Sequence, residues 1–242
     1  ISKMRLRITR SIIPNLLTLG NLFSGFSAII YISRYEFEIA AMMILIAGIF
    51  DTLDGLVARL IRATSAIGVE LDSLCDAVSF GVAPSFLIYK MYFYQLDQIG
   101  IVISALPALA GVYRLARFNV EATLEDKTYF KGMPIPSAAL FILSYCVFHF
   151  YDYSQFGQLN IFVLYFVTFL ASISMISTIK FDNLPRPNWN YLKQYPWKFG
   201  ITLISVIISI ITHGKFIFYF MVIYIVYSYS RAIYHYFKKS SK

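Results

Sequence analysis

The segment IAAMMILIAGIFDTLDGLVAR, Ile39 to Arg59, is apolar as far as Phe50 and then carries Asp51, Asp54 and Arg59. A run of this kind enters or crosses a bilayer as a helix, where every charge is costly unless it has a partner or a task. How these three charges are accommodated decides what the chain is.

The rest of the chain sets the medium. Hydrophobic residues make up 58% of the 242 positions, and mean hydropathy is +0.65, well outside the range of soluble domains. The chain is predicted to be an all-α polytopic membrane protein. Apolar runs place about eight transmembrane helices near 15–33, 39–57, 67–93, 98–116, 134–152, 159–178, 199–212 and 215–236, each close to the roughly 20 residues that a bilayer requires. The whole of 1–242 reads as a single integral-membrane domain. It comprises a basic interfacial segment (1–14), a six-helix core (15–178) and a C-terminal helix pair (199–236) in which the seventh helix is short enough to be half of a hairpin. No small-residue cleavage site follows the basic N-terminal stretch, so it reads as an uncleaved start. The third span is too long for one upright crossing and contains Gly81 and Pro84, which predicts that it tilts, bends or projects into the cytoplasm.

Basic residues set the orientation. With a cytoplasmic N-terminus, all of the 21 Lys and Arg residues except Arg34, Lys90 and Lys215 fall on the cytoplasmic side, as the positive-inside rule asks. Both termini are then cytoplasmic. The net charge of +8 follows from topology and from attraction to anionic lipid headgroups, with no nucleic acid required. Cys75 and Cys146 both lie in apolar segments and read as small packing residues rather than a disulfide. His149, His213 and His235 are scattered at span ends, and the many Tyr and Phe residues read as lipid-facing and interfacial bulk.

The second span ends, and the third begins, on the cytoplasmic side, where AIGVELDSLCD (66–76) adds Asp72 and Asp76. At 100° per residue, Asp51, Asp54, Gly55 and Ala58 share an arc of roughly 100°, and Gly68, Asp72 and Asp76 one of roughly 80°. A short RLIRATSA connection (59–66) makes the helices antiparallel neighbours, with the two stripes facing across a cytoplasmic cleft. Four carboxylates this close repel one another unless cations share the space. Oxygen-only ligands suit Mg²⁺, Mn²⁺ or Ca²⁺, and no His or Cys pair with ligand spacing lies near to argue for zinc. The small residues leave room between the helices for something bulky and phosphorylated.

These positions spell DxxDGxxAR, eight residues, then GxxxDxxxD, and so the chain resembles the CDP-alcohol phosphotransferase family. IPNLLTLGN (13–21), ELDSLCDAVSFGVAPS (70–85), YRLARFN (113–119) and KGMPIPSAA (131–139) are similar to its phosphatidylserine synthase branch, over roughly the first 140 residues. The resemblance implies transfer of the phosphatidyl group of CDP-diacylglycerol to L-serine with release of CMP, in a protein that is a homodimer among membrane lipids. It implies Asp51, Asp54, Asp72 and Asp76 as ligands for Mg²⁺ or Mn²⁺, two ions in all, with Asp76 also the general base. Gly55, Ala58 and Gly68 would line the CDP-diacylglycerol groove, and Arg59 would contact phosphate or lock a carboxylate. A serine zwitterion needs a cation for its carboxylate; Arg114, Arg117, Asn119 and Lys131 are the candidates, against the alternative that they are ordinary flanking charges. The active site faces the cytoplasm, across the inner membrane in a bacterium.

Rival readings remain at this level. A cation transporter also buries carboxylates, but near the midplane and with repeats that are absent here. A non-catalytic lipid-binding protein would not need all four aspartates. A relative using glycerol 3-phosphate or inositol phosphate would call for more basic residues at the acceptor site.

Overall fold

The computed structural model describes residues 12–61, 65–122, 129–146, 158–182 and 215–240. The described chain is nearly all helical. Helix α1 (Ile12–Ser33) and α2 (Phe37–Leu60) form a hairpin. Helix α3 (Ala66–Asp76), a π-helical turn (Ala77–Val82) and α4 (Ala83–Met91) follow as one unbroken rod. A 3₁₀ turn (Phe93–Leu96) leads into α5 (Asp97–Ala122). Strand β1 (Tyr129–Lys131), α6 (Ile135–Cys146), α7 (Gln158–Ile176), β2 (Lys180–Asp182) and α8 (Lys215–Ser240) complete the order.

Among the described residues, five stretches are long and apolar enough to span a membrane: Ile12–Ser33, Phe37–Leu60, Ala66–Met91, Phe93–Glu121 and Phe216–Lys238. They coincide with the first four predicted spans and the eighth. The sixth appears as the shorter apolar helix Asn160–Ile176 and the described part of the fifth as Ile135–Cys146; the rest of the fifth, at 147–152, and the seventh, at 199–212, lie outside the described residues, as do residues 1–11, His149 and His213.

Helix α1 is the hub. Its buried stripe of Pro14, Thr18, Asn21, Gly25, Ala28 and Ile32 has helical spacing, while Leu16, Leu19, Phe23 and Phe26 point outward as lipid-facing residues should. It packs along α2, where Gly20 lies against the Phe50 ring at a spacing that leaves a Cβ only 3.2 Å from it. It also packs along α3 and the π turn. Helices α2 and α3 touch α1 far more than each other, so the predicted antiparallel pair is two helices parted by a gap and backed by a third. Helix α1 ends in a Schellman motif: Glu36 N–H donates to the Tyr31 carbonyl at 3.0 Å and Tyr35 N–H to that of Ile32 at 3.0 Å, with Tyr35 taking the left-handed conformation, φ 63°.

The predicted irregularity near Gly81 and Pro84 takes the form of the π turn. Pro84 sits in the first turn after it; its ring crowds the carbonyl one turn back and it has no N–H to donate, which a locally widened helix accommodates. Pro107 lies inside the continuous helix α5, and the N–H of Ala108 next to it donates to Ser85 Oγ of α4 at 3.0 Å.

Sequence patterning misses one feature, a two-stranded antiparallel ribbon that pairs Tyr129 with Asp182, Phe130 with Phe181 and Lys131 with Lys180. Three residues per strand are too few to show an alternation. The ribbon leads through Gly132, φ 78°, whose N–H donates to the Ile179 carbonyl at 2.8 Å. Helix α8 closes this side: Phe218 stacks on Phe141, centroids 5.7 Å apart, and Arg231 Nη2 donates to the Lys180 carbonyl at 2.7 Å. At the opposite end, Lys90 Nζ lies 4.7 Å from the Tyr35 ring centroid, which gathers two of the three outlying basic positions, Arg34 and Lys90, near one another.

Candidate active site

Ser65 starts α3 by accepting the N–H of Gly68 at 3.0 Å, an N-cap that sets the phase of the helix. From there Asp72 and Asp76 turn toward Asp51 of α2. One carboxylate oxygen from each of Asp51, Asp72 and Asp76 lies within 4.8 Å of the other two. Asp72 Oδ1 is buried with no hydrogen-bond partner among the described residues. A hard divalent cation fits this donor set: all ligands are oxygen, they converge, and the unsatisfied buried acceptor is of the kind an ion satisfies.

Asp54, the fourth predicted aspartate, is not in that convergent group. It is buried, and its Oδ2 accepts from Thr18 Oγ1 of α1 at 2.7 Å. Asp76 is held in the same way, Oδ1 accepting from Asn21 Nδ2 at 3.0 Å. Thr18 and Asn21 are the functional-site residues that sequence reasoning missed. The signal was present in IPNLLTLGN, where Asn15, Thr18 and Asn21 recur every three residues on a largely apolar helix, but only the fold shows what Thr18 and Asn21 reach.

Around the cluster, Gly55 borders open space; a Cβ there would come no nearer than 3.8 Å to Arg59 Nη1. Ala58 is half-buried and Arg59 exposed in the last turn of α2, with its charge acting on Asp54. Gly68 has a tighter setting than a groove-lining role requires: a Cβ would lie 3.1 Å from Ser65 Oγ and 3.5 Å from Asn15 Oδ1, so its size also serves the cap and the approach of α1.

The four acceptor-side candidates separate. Arg117 is spread over backbone carbonyls, of Ile176 at 2.7 Å, Lys131 at 2.9 Å, Ser177 at 3.1 Å and Met175 at 3.3 Å, and so clips the ribbon to the end of α7. Lys131 pairs with Glu121 at 2.9 Å. Asn119 bonds Ser73 Oγ at 3.0 Å and so ties α5 to α3 between Asp72 and Asp76. Arg114 alone of the four is buried, with its guanidinium over the Phe118 ring and near enough to Asp76 for their charges to interact.

Residues 11–173 match the family model for CDP-alcohol phosphatidyltransferase. The chain belongs to the CDP-alcohol phosphatidyltransferase family. As a CDP-alcohol phosphatidyltransferase it is a transferase of phosphate-containing groups in phospholipid biosynthesis, and its aspartate cluster lies inside the matched region. It is 39% identical over 182 residues to the CDP-diacylglycerol–serine O-phosphatidyltransferase of Helicobacter pylori (strain ATCC 700392 / 26695), covering 73% of this chain and 74% of that one. The Bacillus subtilis (strain 168) protein of the same name is 36% identical over 188 residues, 74% of this chain and 98% of its own. An archaetidylserine synthase of Methanothermobacter thermautotrophicus is 36% identical over 174 residues, 71% and 70% of the two chains.

Proposed function

We propose that this protein transfers the phosphatidyl group of CDP-diacylglycerol to the hydroxyl of L-serine, giving phosphatidylserine and CMP. The observation that carries the reading is the convergence of Asp51, Asp72 and Asp76 from two helices within 4.8 Å. Serine as acceptor is supported by the names of the relatives and by Arg114, the buried arginine among the described residues, whose charge interacts with that of Asp76.

Asp51, Asp72 and Asp76 would hold Mg²⁺ or Mn²⁺, with Asp54 beside them contributing charge; a bound ion neutralises the diphosphate and stabilises the departing CMP. The gap between α2 and α3, bordered by Gly55, Ala58 and Gly68, admits the nucleotide and diphosphate, with exposed Arg59 at its rim for phosphate. Arg114 takes the serine carboxylate. The serine oxygen bonds to the phosphorus that carries diacylglycerol, its proton passes to Asp76, and the bond to the CMP oxygen breaks with its electron pair leaving on CMP. Burial of Asp76 and its anchor Asn21 limits the water that would compete with serine.

The site opens to the cytoplasm in this reading, with both termini on that side and the protein pairing as a homodimer. The test is CMP release by purified protein from CDP-diacylglycerol, with serine, glycerol 3-phosphate, inositol phosphate and no acceptor compared in parallel. Serine-dependent release is the expected result; release with a phosphorylated acceptor and none with serine overturns the assignment.

A further inference from the structure

The role of Asp76 depends on where its carboxylate points, and that is decided from α1 by Asn21. Asn21 is 0% exposed. Its Nδ2 donates to Asp76 Oδ1 at 3.0 Å, while its Oδ1 is buried with no partner among the described residues. Facing an ionised carboxylate, which only accepts, the amide must present its nitrogen. The orphaned oxygen then marks a residue that is poor as packing, because leaving a buried acceptor unsatisfied is destabilising.

The backbone of Asn21 is seated separately from its side-chain amide. Ser79 Oγ, one turn beyond Asp76, donates to the Asn21 carbonyl at 3.1 Å. One turn along α1, Gly25 lets Ser79 approach so closely that a Cβ would fall 2.7 Å from its Cα. The π turn begins at Ala77, immediately after Asp76, so the helix changes its winding where the carboxylate leaves it. We propose that Asn21 is a positioning residue for the transfer reaction, fixing one oxygen of Asp76 so that the other is aimed at the acceptor hydroxyl. This rests on the functional reading above, in which Asp76 is the base.

A carboxylate free to rotate misses the hydroxyl for much of the time, and misplacement of this order costs rate far more than binding. The test is a double-mutant cycle of Asn21→Leu and Asp76→Asn in purified protein, with Ser79→Ala as a control that breaks the helix contact and leaves the amide in place. Asn21→Leu is expected to lower kcat about 10-fold or more with KM for CDP-diacylglycerol and for the acceptor within about 2-fold of wild type. In the Asp76→Asn background the same change should cost less than about 2-fold, since the group it positions is already gone. Ser79→Ala should keep kcat within about 3-fold of wild type.

An equal loss from Asn21→Leu in both backgrounds, or a rise in KM with kcat unchanged, overturns the proposal, as does a kcat loss in Ser79→Ala as large as that in Asn21→Leu. Should Asn21→Leu fail to accumulate in the membrane, Asn21→Ala is carried through the same cycle. A wild-type protein that fails with serine and works with another acceptor sinks the serine assignment and leaves this test intact with that acceptor.

Discussion

Thr18 Oγ1 on α1 and Asp54 Oδ2 on α2 are 2.7 Å apart, so the first helix, which contributes no carboxylate, holds one of the four aspartates of the second and third. The same hydroxyl lies 3.1 Å from the Pro14 carbonyl. It has one proton, and the shorter contact to a charged acceptor is the stronger. Thr18→Val keeps the shape and removes the donor. A charged hydrogen bond is worth about 1.5 to 3 kcal/mol, so this variant is expected to need on the order of 10-fold more CDP-diacylglycerol or metal for half-maximal rate, measured by titrating each in turn.

Removal of divalent metal should abolish transfer. The three convergent carboxylates offer only oxygen, so protein stripped with chelator is expected to regain CMP release with Mg²⁺ or Mn²⁺. Full turnover in excess chelator would count decisively against a metal at this cluster.

The aspartates should divide by role. Asp51→Asn and Asp72→Asn are expected to raise the metal concentration needed for activity, and Asp54→Asn to do so together with loss of nucleotide affinity. Asp76→Asn should lose mainly kcat, by about 100-fold or more as for a missing general base. Turnover near wild type in Asp76→Asn would remove the base assignment.

The two arginines of α5 should behave differently although they are one helical turn apart. Arg114→Ala is expected to raise the KM for serine about 10-fold and to leave that for CDP-diacylglycerol nearly unchanged. Arg117→Ala removes donors from four carbonyls and should instead lower thermal stability in detergent. A selective serine effect in Arg117→Ala, with Arg114→Ala silent, would reverse the two assignments.

Gly25 tests the packing that seats the site. A Cβ there would lie 2.1 Å from Ser79 Oγ and 2.7 Å from Ser79 Cα, and a backbone atom cannot rotate away. Gly25→Ala is expected to destabilise the protein by about 1 to 3 kcal/mol, the usual cost of overpacking; an unchanged melting temperature would show that α1 and the π turn are not locked there.

The chemical character of the site was legible in the sequence. Asp51, Asp54, Asp72 and Asp76 fall on two stripes because helical periodicity alone places them there, and a bilayer allows few other reasons for so many carboxylates. The long spans were equally legible, since twenty apolar residues in a row have one stable solution in lipid. What the sequence could not decide was which side chains meet across helices. Asp54 turned to Thr18 while Asp51, Asp72 and Asp76 converged; Arg117 went to backbone carbonyls while Arg114 stayed beside Asp76; and the bend foreseen near Pro84 became a π turn directly after Asp76. The aspartate placements depend on the rotation and closeness of α1 against two other helices, through Gly20 and Gly25, and those of the arginines on how α5 packs against α3 and the end of α7; such contacts link residues 30 to 60 positions apart that no local pattern connects.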